Sequence, residues 1–396
     1  MRRYREVLRA PHVAAMVAAA LLSRFPIGIN SLAMVLYLRQ QTGSFAIAGA
    51  VAGSLAAGSG LGAPVMGRLV DRTGPRRVLI PLAFVHAAAL GAVVACGALG
   101  APTLALLACG FVAGFAVPPT SSVLRALWPE LLSDRPDLLQ AAYALDSTLI
   151  ELIFVGGPLL TGLIAAVYEP AAALVVSAVS VVAGTIAFSR REPTRAIEPE
   201  RHHERHWLGA LASPGVRTLV ITCLPAGVGI GICEVAIPAF ARAHGVANLA
   251  GLLLATWSFG SGVGGLVYGA LPRRASLRRI HLAVTAALPL SLVPMTLASS
   301  VPAMAVCVIP GGSCIAPLLA TRNELVGGVA PAGTRTEAYT WPITAFVIGI
   351  AAGNAVAGGI VDGPGAQAAF LVAAVCAAAG TVVAAVGNRT LAPVTS

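Results

Sequence analysis

Residues 48–77 read AGAVAGSLAAGSGLGAPVMGRLVDRTGPRR, an apolar run rich in glycine that ends in a charged segment. The apolar part recurs 202 residues later, where residues 250–271 read AGLLLATWSFGSGVGGLVYGAL. Aligned without a gap, the two segments share nine identical residues over 22 positions. This density of identity is hard to assign to a composition rich in Gly and Ala, and it predicts two halves related by duplication.

The composition is that of an integral membrane protein. Of the 396 residues, 57% are hydrophobic and only 11% are charged, and the mean hydropathy is +0.85. A helix needs about 20 apolar residues to cross a bilayer. Twelve such stretches can be marked, at residues 12–38, 45–67, 78–99, 103–127, 138–165, 170–189, 216–240, 249–271, 280–298, 302–321, 337–361 and 366–387. We therefore predict an all-α membrane protein with two pseudo-symmetric six-helix bundles, residues 1–189 and 214–396, joined by a linker at 190–213.

The basic residues predict the orientation. All 26 of them are arginine, and 23 lie at alternate ends of the spans, the exceptions being Arg24, Arg39 and Arg242. Because positive charge is retained on the cytoplasmic side, both termini and the linker are expected in the cytoplasm. The net charge of +10 is explained by this topology and by attraction to anionic membrane lipid, so no nucleic-acid partner is expected.

Several enzyme and cofactor classes are disfavoured. The chain contains no lysine, which excludes a Walker-type phosphate loop and Schiff-base chemistry. Its seven cysteines fall inside predicted spans without metal-ligand spacing. The linker carries closely spaced imidazoles, but in a charged segment that is better explained as a solvated loop: His202, His203, Glu204 and His206. We predict no cofactor and no metal site, and no nucleophile–base arrangement indicates catalysis.

The charged segment is the most specific signal in the chain. Its form, Gly-x-Leu-x-Asp-Arg-x-Gly-x-Arg-Arg, resembles the signature of the major facilitator superfamily at Gly67, Asp71, Arg72, Gly74, Arg76 and Arg77. The resemblance implies the twelve-helix fold of that family and secondary transport by alternating access. It also implies that Asp71 faces the N-terminus of the eleventh helix, near Thr336, and that the arginines complete a charge network closing the cytoplasmic side.

A second resemblance concerns the fifth span. Residues 157–162, GPLLTG, are similar to the core of a motif of drug/proton antiporters in this superfamily, through Gly157, Pro158 and Gly162. A simple proline kink among small residues is the alternative interpretation. The arginine that this group often carries within the fourth span is missing, since Arg125 is expected at the cytoplasmic end of that span.

Four ionisable residues lie inside spans and are functional candidates because burying them in a membrane is costly: Arg24, Asp146, Glu151 and Glu234. Arg24 and Glu151 are expected near the midplane, so Arg24 either holds the first and fifth spans together or modulates Glu151. A carboxylate in low dielectric favours its protonated form, so we assign proton exchange to Glu151. Glu234 is assigned to substrate contact or an outer proton site.

Asp146 and Glu151 are about 140° apart around a helix and cannot both face one ligand. Five polar or aromatic residues are further candidates for lining a cavity: Asn30, Tyr143, Trp257, Trp341 and Asn354. Together these patterns predict a monomeric secondary transporter of the cytoplasmic membrane that exports small amphipathic or cationic compounds in exchange for protons. A nutrient or metabolite importer remains an alternative, as does a lipid flippase or membrane-embedded enzyme.

Overall fold

The computed structural model describes residues 2–196, 208–246 and 249–392. Within these ranges the chain is helical and forms no strand. Twelve stretches are long and apolar enough to cross a membrane, which confirms the predicted fold class: Val13–Thr42, Ala46–Thr73, Pro75–Ala98, Thr103–Leu131, Pro136–Val167, Pro170–Ser189, Pro214–Ala243, Ala250–Ala270, Leu277–Leu297, Val301–Val329, Arg335–Asp362 and Ala366–Leu391. The histidines of the linker lie outside the described residues.

Three of the twelve spans consist of two consecutive α-helices. The helices are α1 (Arg2–Arg9), α2 (Val13–Arg24), α3 (Pro26–Thr42), α4 (Phe45–Thr73), α5 (Pro75–Ala98), α6 (Thr103–Phe115), α7 (Thr120–Leu131), α8 (Leu139–Val167), α9 (Pro170–Ser189), α10 (Glu192–Ala196), α11 (Pro214–Ala243), α12 (Ala250–Ala270), α13 (Leu277–Leu297), α14 (Val301–Ser313), α15 (Ile315–Val329), α16 (Arg335–Asp362) and α17 (Ala366–Val386). The first span is divided between α2 and α3, the fourth between α6 and α7, and the tenth between α14 and α15. Pro26 begins α3, and Pro118 and Pro119 separate α6 from α7, because proline lacks the N–H that a continuous helix needs.

The charged segment of the second span is helical for most of its length. The sequence predicted that the span ends near residue 67, but α4 continues to Thr73 because residues 68–73 contain neither glycine nor proline. Gly74 has φ +89°, a conformation that favours glycine, and Pro75 then starts α5. Gly67 and Asp71 therefore project from the last turns of a rigid helix rather than from a loop.

Two pairs of the repeated glycines lie where helices cross closely. A Cβ on Gly58 or Gly62 of α4 would fall against the backbone of α6. In the second copy, a Cβ on Gly260 or Gly264 of α12 would fall against the backbone of α14. The same pairs of spans are thus packed backbone to backbone in both halves, since only glycine leaves room for this approach.

We call residues 2–196 the first half of the chain and residues 208–392 the second half. The end of the bundle that carries α1, the C-terminus of α4 and the N-terminus of α16 is called the terminus side. The halves meet mainly where α8 packs on α12 and α15, and where α16 packs on α4 and α7. The site described next lies along these contacts.

Candidate functional site

Asp71 holds the N-terminus of α16. Its Oδ1 accepts a hydrogen bond from the backbone N–H of Thr336 at 3.0 Å, and its Oδ2 accepts one from Glu337 at 2.8 Å. A carboxylate is favoured at this position because the first amides of a helix lack partners within the helix and carry partial positive charge. Gly67 permits the approach, since a Cβ there would lie 3.1 Å from the Cα of Glu337.

An ion pair between the halves lies beside this cap. The guanidinium of Arg68 donates to both carboxylate oxygens of Glu337, at 2.6 and 3.0 Å, and Trp341 Nε1 donates to Oε1 at 3.1 Å. Sequence reasoning assigned the charge network to the other arginines of the motif. The structure gives the ion pair to Arg68, and within the described residues the exposed side chains of Arg72, Arg76 and Arg77 form none.

Further contacts close the terminus side. Tyr143 and Tyr339, one from each half, share a hydrogen bond of 2.7 Å between their hydroxyl oxygens. Gln140 Nε2 donates to the carbonyl of Tyr268 at 2.6 Å. Within the described residues, every hydrogen bond between the halves lies between the terminus side and the level of Glu151. Among the described residues, the hydrogen bonds that join the halves therefore lie on one side of the bundle.

Asp146 lies between two buried arginines. Arg24 Nη1 contacts Asp146 Oδ1 at 2.5 Å, and Arg125 Nε contacts Oδ2 at 2.6 Å. The side chains of Arg24, Asp146 and Arg125 are 3%, 1% and 5% exposed. The ion pair between the first and fifth spans is therefore formed by Arg24 and Asp146. Arg24 pairs with Asp146 and not with Glu151, the residue that it was alternatively expected to modulate. Arg125 is a buried partner of Asp146 because it lies on α7, the second helix of the broken fourth span. Sequence reasoning had placed Arg125 at the cytoplasmic end of that span.

A third buried arginine lies in the tenth span. Arg322 is 2% exposed, and none of the described carboxylates lies within 4 Å of its guanidinium. It donates to Asn323 Oδ1 from Nη2 at 2.8 Å and contacts Cys223 Sγ from Nη1 at 3.9 Å. Sequence reasoning counted this arginine only as a topology signal. Its position in the second, inner helix of a broken span parallels that of Arg125.

Glu151 and Glu234 form a second, separate set of charges. Glu151 Oε1 accepts a hydrogen bond of 2.9 Å from Ser261, whose Oγ also accepts from the backbone N–H of Ala316. Glu234 Oε2 accepts from Asn354 Nδ2 at 3.4 Å. Among the described residues neither glutamate forms a salt bridge. Glu151 thus contacts the other half of the chain through a neutral hydroxyl.

Asn30 belongs to a packing cluster rather than to the acidic set. It is 3% exposed, and its amide contacts His86 Nε2 at 3.2 Å and Ser177 Oγ at 2.5 Å. His86 Nδ1 in turn contacts the carbonyl of Ala113 at 2.7 Å. This chain of buried polar groups links four spans of the first half, because each group needs a partner in the apolar interior.

Two of the remaining candidates, Trp257 and Gly157, lie at close helix crossings. Trp257 is 4% exposed and lies against Gly312, where a Cβ would touch its backbone. A Cβ on Gly157 would fall against the backbone of Gly28, so α8 crosses α3 closely at this point. Pro158 is accommodated inside the uninterrupted helix α8, and Gly162 faces open space.

The fold and the charged groups between the two halves define a membrane transporter with twelve spans. The model of the Major Facilitator Superfamily matches residues 16–288, and the chain belongs to this superfamily. A comparison with curated proteins gave no match.

Solved structures share the fold at low sequence identity. The human organic anion transporter MFSD10 (TETRAN) aligns with a TM-score of 0.73 and 16% identity, covering 96% of this chain and 99% of that one. A bacterial homologue of the iron transporter ferroportin in an outward-facing state aligns with a TM-score of 0.72 and 15% identity, covering 95% of this chain and 99% of that one. The E. coli fucose:proton symporter FucP aligns with a TM-score of 0.70 and 14% identity, covering 94% of this chain and 98% of that one.

Proposed function

We propose that this transporter exports small amphipathic or cationic compounds in exchange for protons. Residues 1–189 and 214–396 rock against each other as two bundles joined by the linker at 190–213. The protein works as a monomer in the cytoplasmic membrane. Both termini are in the cytoplasm in this proposal, which the placement of the arginines supports.

The observation that carries the proposal is the position of Glu151. It lies about 18 Å along α8 from the helix start at Leu139, near the middle of a hydrocarbon core about 30 Å thick. In the part of the chain that the structure describes, no arginine forms a salt bridge with it, and its partner is a serine hydroxyl. A carboxylate with a neutral partner at this depth binds either a proton or a cation, and competition between the two is the basis of antiport.

The contact between Glu151 and Ser261 couples this exchange to movement. Ser261 belongs to α12 in the second half, so its hydroxyl joins the two bundles at mid-depth. Protonation of Glu151 removes the charge that this hydroxyl solvates and weakens the hydrogen bond, because bonds to ionised groups are stronger than neutral ones. Proton binding therefore loosens a contact that bundle rotation must break.

Glu234 and Asn354 extend the polar surface in the second half. Glu234 lies on α11 and is half-buried, and Asn354 lies on α16 and is exposed. Glu234 belongs to the second half of the chain, whereas Glu151 belongs to the first. A cationic group between them would contact both halves, which suits a substrate site that is shared by two rocking bundles.

The described conformation corresponds to one end state of the cycle. The terminus side is closed by Asp71, by the pair of Arg68 with Glu337 and by the two tyrosines. With the terminus side in the cytoplasm, this state faces outward. The opposite state requires these contacts to separate, so they form the cytoplasmic gate.

The proposal is tested by transport of a lipophilic cationic dye in proteoliposomes with an imposed pH gradient. Glu151→Gln should abolish proton-driven accumulation but permit dye exchange and downhill flux. Glu234→Gln should weaken dye affinity by about tenfold, which corresponds to the loss of one ionic contact of about 1.4 kcal/mol. Glu169→Gln, at an exposed loop position, is the matched control and should behave as wild type. Unchanged proton-driven transport by both cavity variants would refute the scheme.

A further inference from the structure

The buried arginines carry more positive charge than their surroundings balance. Arg24, Arg125 and Arg322 are 3%, 4% and 2% exposed. Asp146 is the one described carboxylate that pairs with any of them, and it pairs with the first two. Arg322 lies on α15, which packs on α7 and α8. Five residues further along α15, a Cβ on Gly327 would lie 3.3 Å from the hydroxyl oxygen of Tyr143, which donates to the carbonyl of Arg125. The cluster therefore holds three guanidinium groups against one carboxylate, an excess of two positive charges.

Several N–H donors in this cluster have no acceptor. Within the described residues, the buried atoms Arg24 Nε, Arg24 Nη2 and Arg125 Nη1 form no hydrogen bond. The amide nitrogen of Asn323, whose oxygen accepts from Arg322, is also without a partner. Buried polar groups are normally paired, and groups of a purely structural cluster would include acceptors for these donors. Each unpaired atom of the three arginines and Asn323 is a donor, so the missing partner of these groups is an acceptor. The nearest unpaired acceptors along the same helices, Gln140 Oε1 and Glu324 Oε2, belong to side chains that are bonded to Tyr268 and Arg273.

The cluster lies at a defined level of the transport path. Arg125 is six residues from the terminus-side end of α7, and Arg322 is seven residues from the end of α15, which places both about 10 Å from those ends. Asp146 is at a similar depth on α8, one and a half turns before Glu151. The first, fourth and tenth spans that supply the arginines are the three broken ones. The arginines therefore lie between the cytoplasmic gate and the glutamates.

We propose that Arg24, Arg125 and Arg322 bind the anionic group of the substrate, a carboxylate, sulfonate or phosphate. Planar guanidinium groups match these oxyanions through paired N–H donors. The proposal rests on the alternating-access part of the proposed function, because the cluster is reached when the gate opens. It narrows the substrate class to amphipathic compounds that carry an anionic group, with any amine directed toward Glu151 about 8 Å deeper along α8.

The test measures ligand-induced thermal stabilisation of the purified full chain in detergent at fixed ionic strength. Benzoate, benzenesulfonate and phenyl phosphate are the probes, and benzamide is the neutral control. At least one anion should raise the melting temperature in a saturable manner while benzamide does not, because a ligand that binds the folded state stabilises it. The absence of stabilisation by all three anions, or equal stabilisation by benzamide, overturns the proposal.

Arg322→Gln identifies the site of binding. It should lower the affinity for the stabilising anion at least tenfold, whereas Arg217→Gln, which removes an exposed arginine on the same side, should not. Without ligand, Arg322→Gln should melt at or above the wild-type temperature, since it removes a buried charge that has no carboxylate partner. Unchanged anion affinity, or a lower melting temperature without ligand, would show that Arg322 is structural.

Asp71→Asn separates an internal site from an external one. This variant weakens the gate, so a larger fraction of molecules exposes the cluster and the apparent affinity for the anion should increase. An unchanged or weaker affinity would mean that the anion binds elsewhere. Anion binding is measured without a proton gradient, so a negative transport result for Glu151→Gln would not affect the evidence for the anion site. Conversely, a negative anion-binding result would not affect the assignment of proton exchange to Glu151.

Discussion

Asp71 joins the two halves through two backbone amides, and a single atom change is enough to weaken this junction. In Asp71→Asn the amide nitrogen replaces one of the two accepting oxygens, and the negative charge at the N-terminus of α16 is lost. We expect a cost of about 1–3 kcal/mol to the closed state. Transport should fall strongly while expression and the elution profile of the purified protein stay near wild type.

The control for this substitution is Asp362→Asn, at the exposed opposite end of the same helix. It removes an equal charge without touching the gate and should transport normally. If Asp71→Asn also transports at the wild-type rate, the hydrogen bonds at the start of α16 are not needed for the cycle. The motif would then be a retained family feature without a gating role.

At the scale of elements, the short helix α1 straps the two halves together on the terminus side. Arg3 donates to the carbonyls of Asp137 in the first half and Leu271 in the second. Tyr4 donates to the carbonyls of Gly265 and Leu266, at 3.1 and 2.8 Å. Burial raises the pKa of Tyr4 to about 12, so its hydroxyl remains a donor throughout the physiological range.

An ion pair fixes the other face of α1. Arg135 donates to Glu6 at 2.9 Å, and hydrogen bonds from Arg135 and then from Arg2 lower the pKa of Glu6. A carboxylate whose pKa is lowered in the folded state stabilises that state above its unfolded pKa. The contribution is lost as the pH falls through the folded value, so the strap weakens on acidification.

The strap is tested by Tyr4→Phe, which removes one hydroxyl and keeps the ring. The closed state should lose about 0.5–1.5 kcal/mol, so cysteines introduced along the gate should react faster with a membrane-permeant maleimide. Tyr168→Phe, at an exposed position beyond the other end of α8, is the matched control. Equal reaction rates in Tyr4→Phe and wild type would show that α1 does not contribute to closure.

At the scale of the whole molecule, the arginine distribution determines which side of the membrane the closed gate faces. We expect both termini and position 203 in the cytoplasm. In a background without cysteine, His203→Cys should resist an impermeant maleimide applied to intact cells, and Glu169→Cys, at the opposite ends of the spans, should react. Modification at position 203 with protection at 169 would reverse the orientation and make the described state inward-facing.

The sequence alone determined the number of spans and showed an internal repeat, which depend on local composition: the length of an apolar run and glycines at fixed spacing. That Asp71 caps α16 was implied by the resemblance of residues 67–77 to the family signature and not by composition. The sequence also identified four functional candidates, Arg24, Asp146, Glu151 and Glu234, because ionisable residues within apolar runs are rare and costly to bury.

Only the tertiary structure decided which of these groups meet. Asp146 takes Arg24 and Arg125 as partners because the fourth span is broken and its inner helix turns toward α8. Arg68 pairs with Glu337, 269 positions away, and Glu151 meets Ser261 of the other half. Pairing between distant helices depends on how they cross and rotate, and no local pattern encodes that geometry. For the same reason, the unbalanced charge around Arg322 becomes visible only when the spans are packed together.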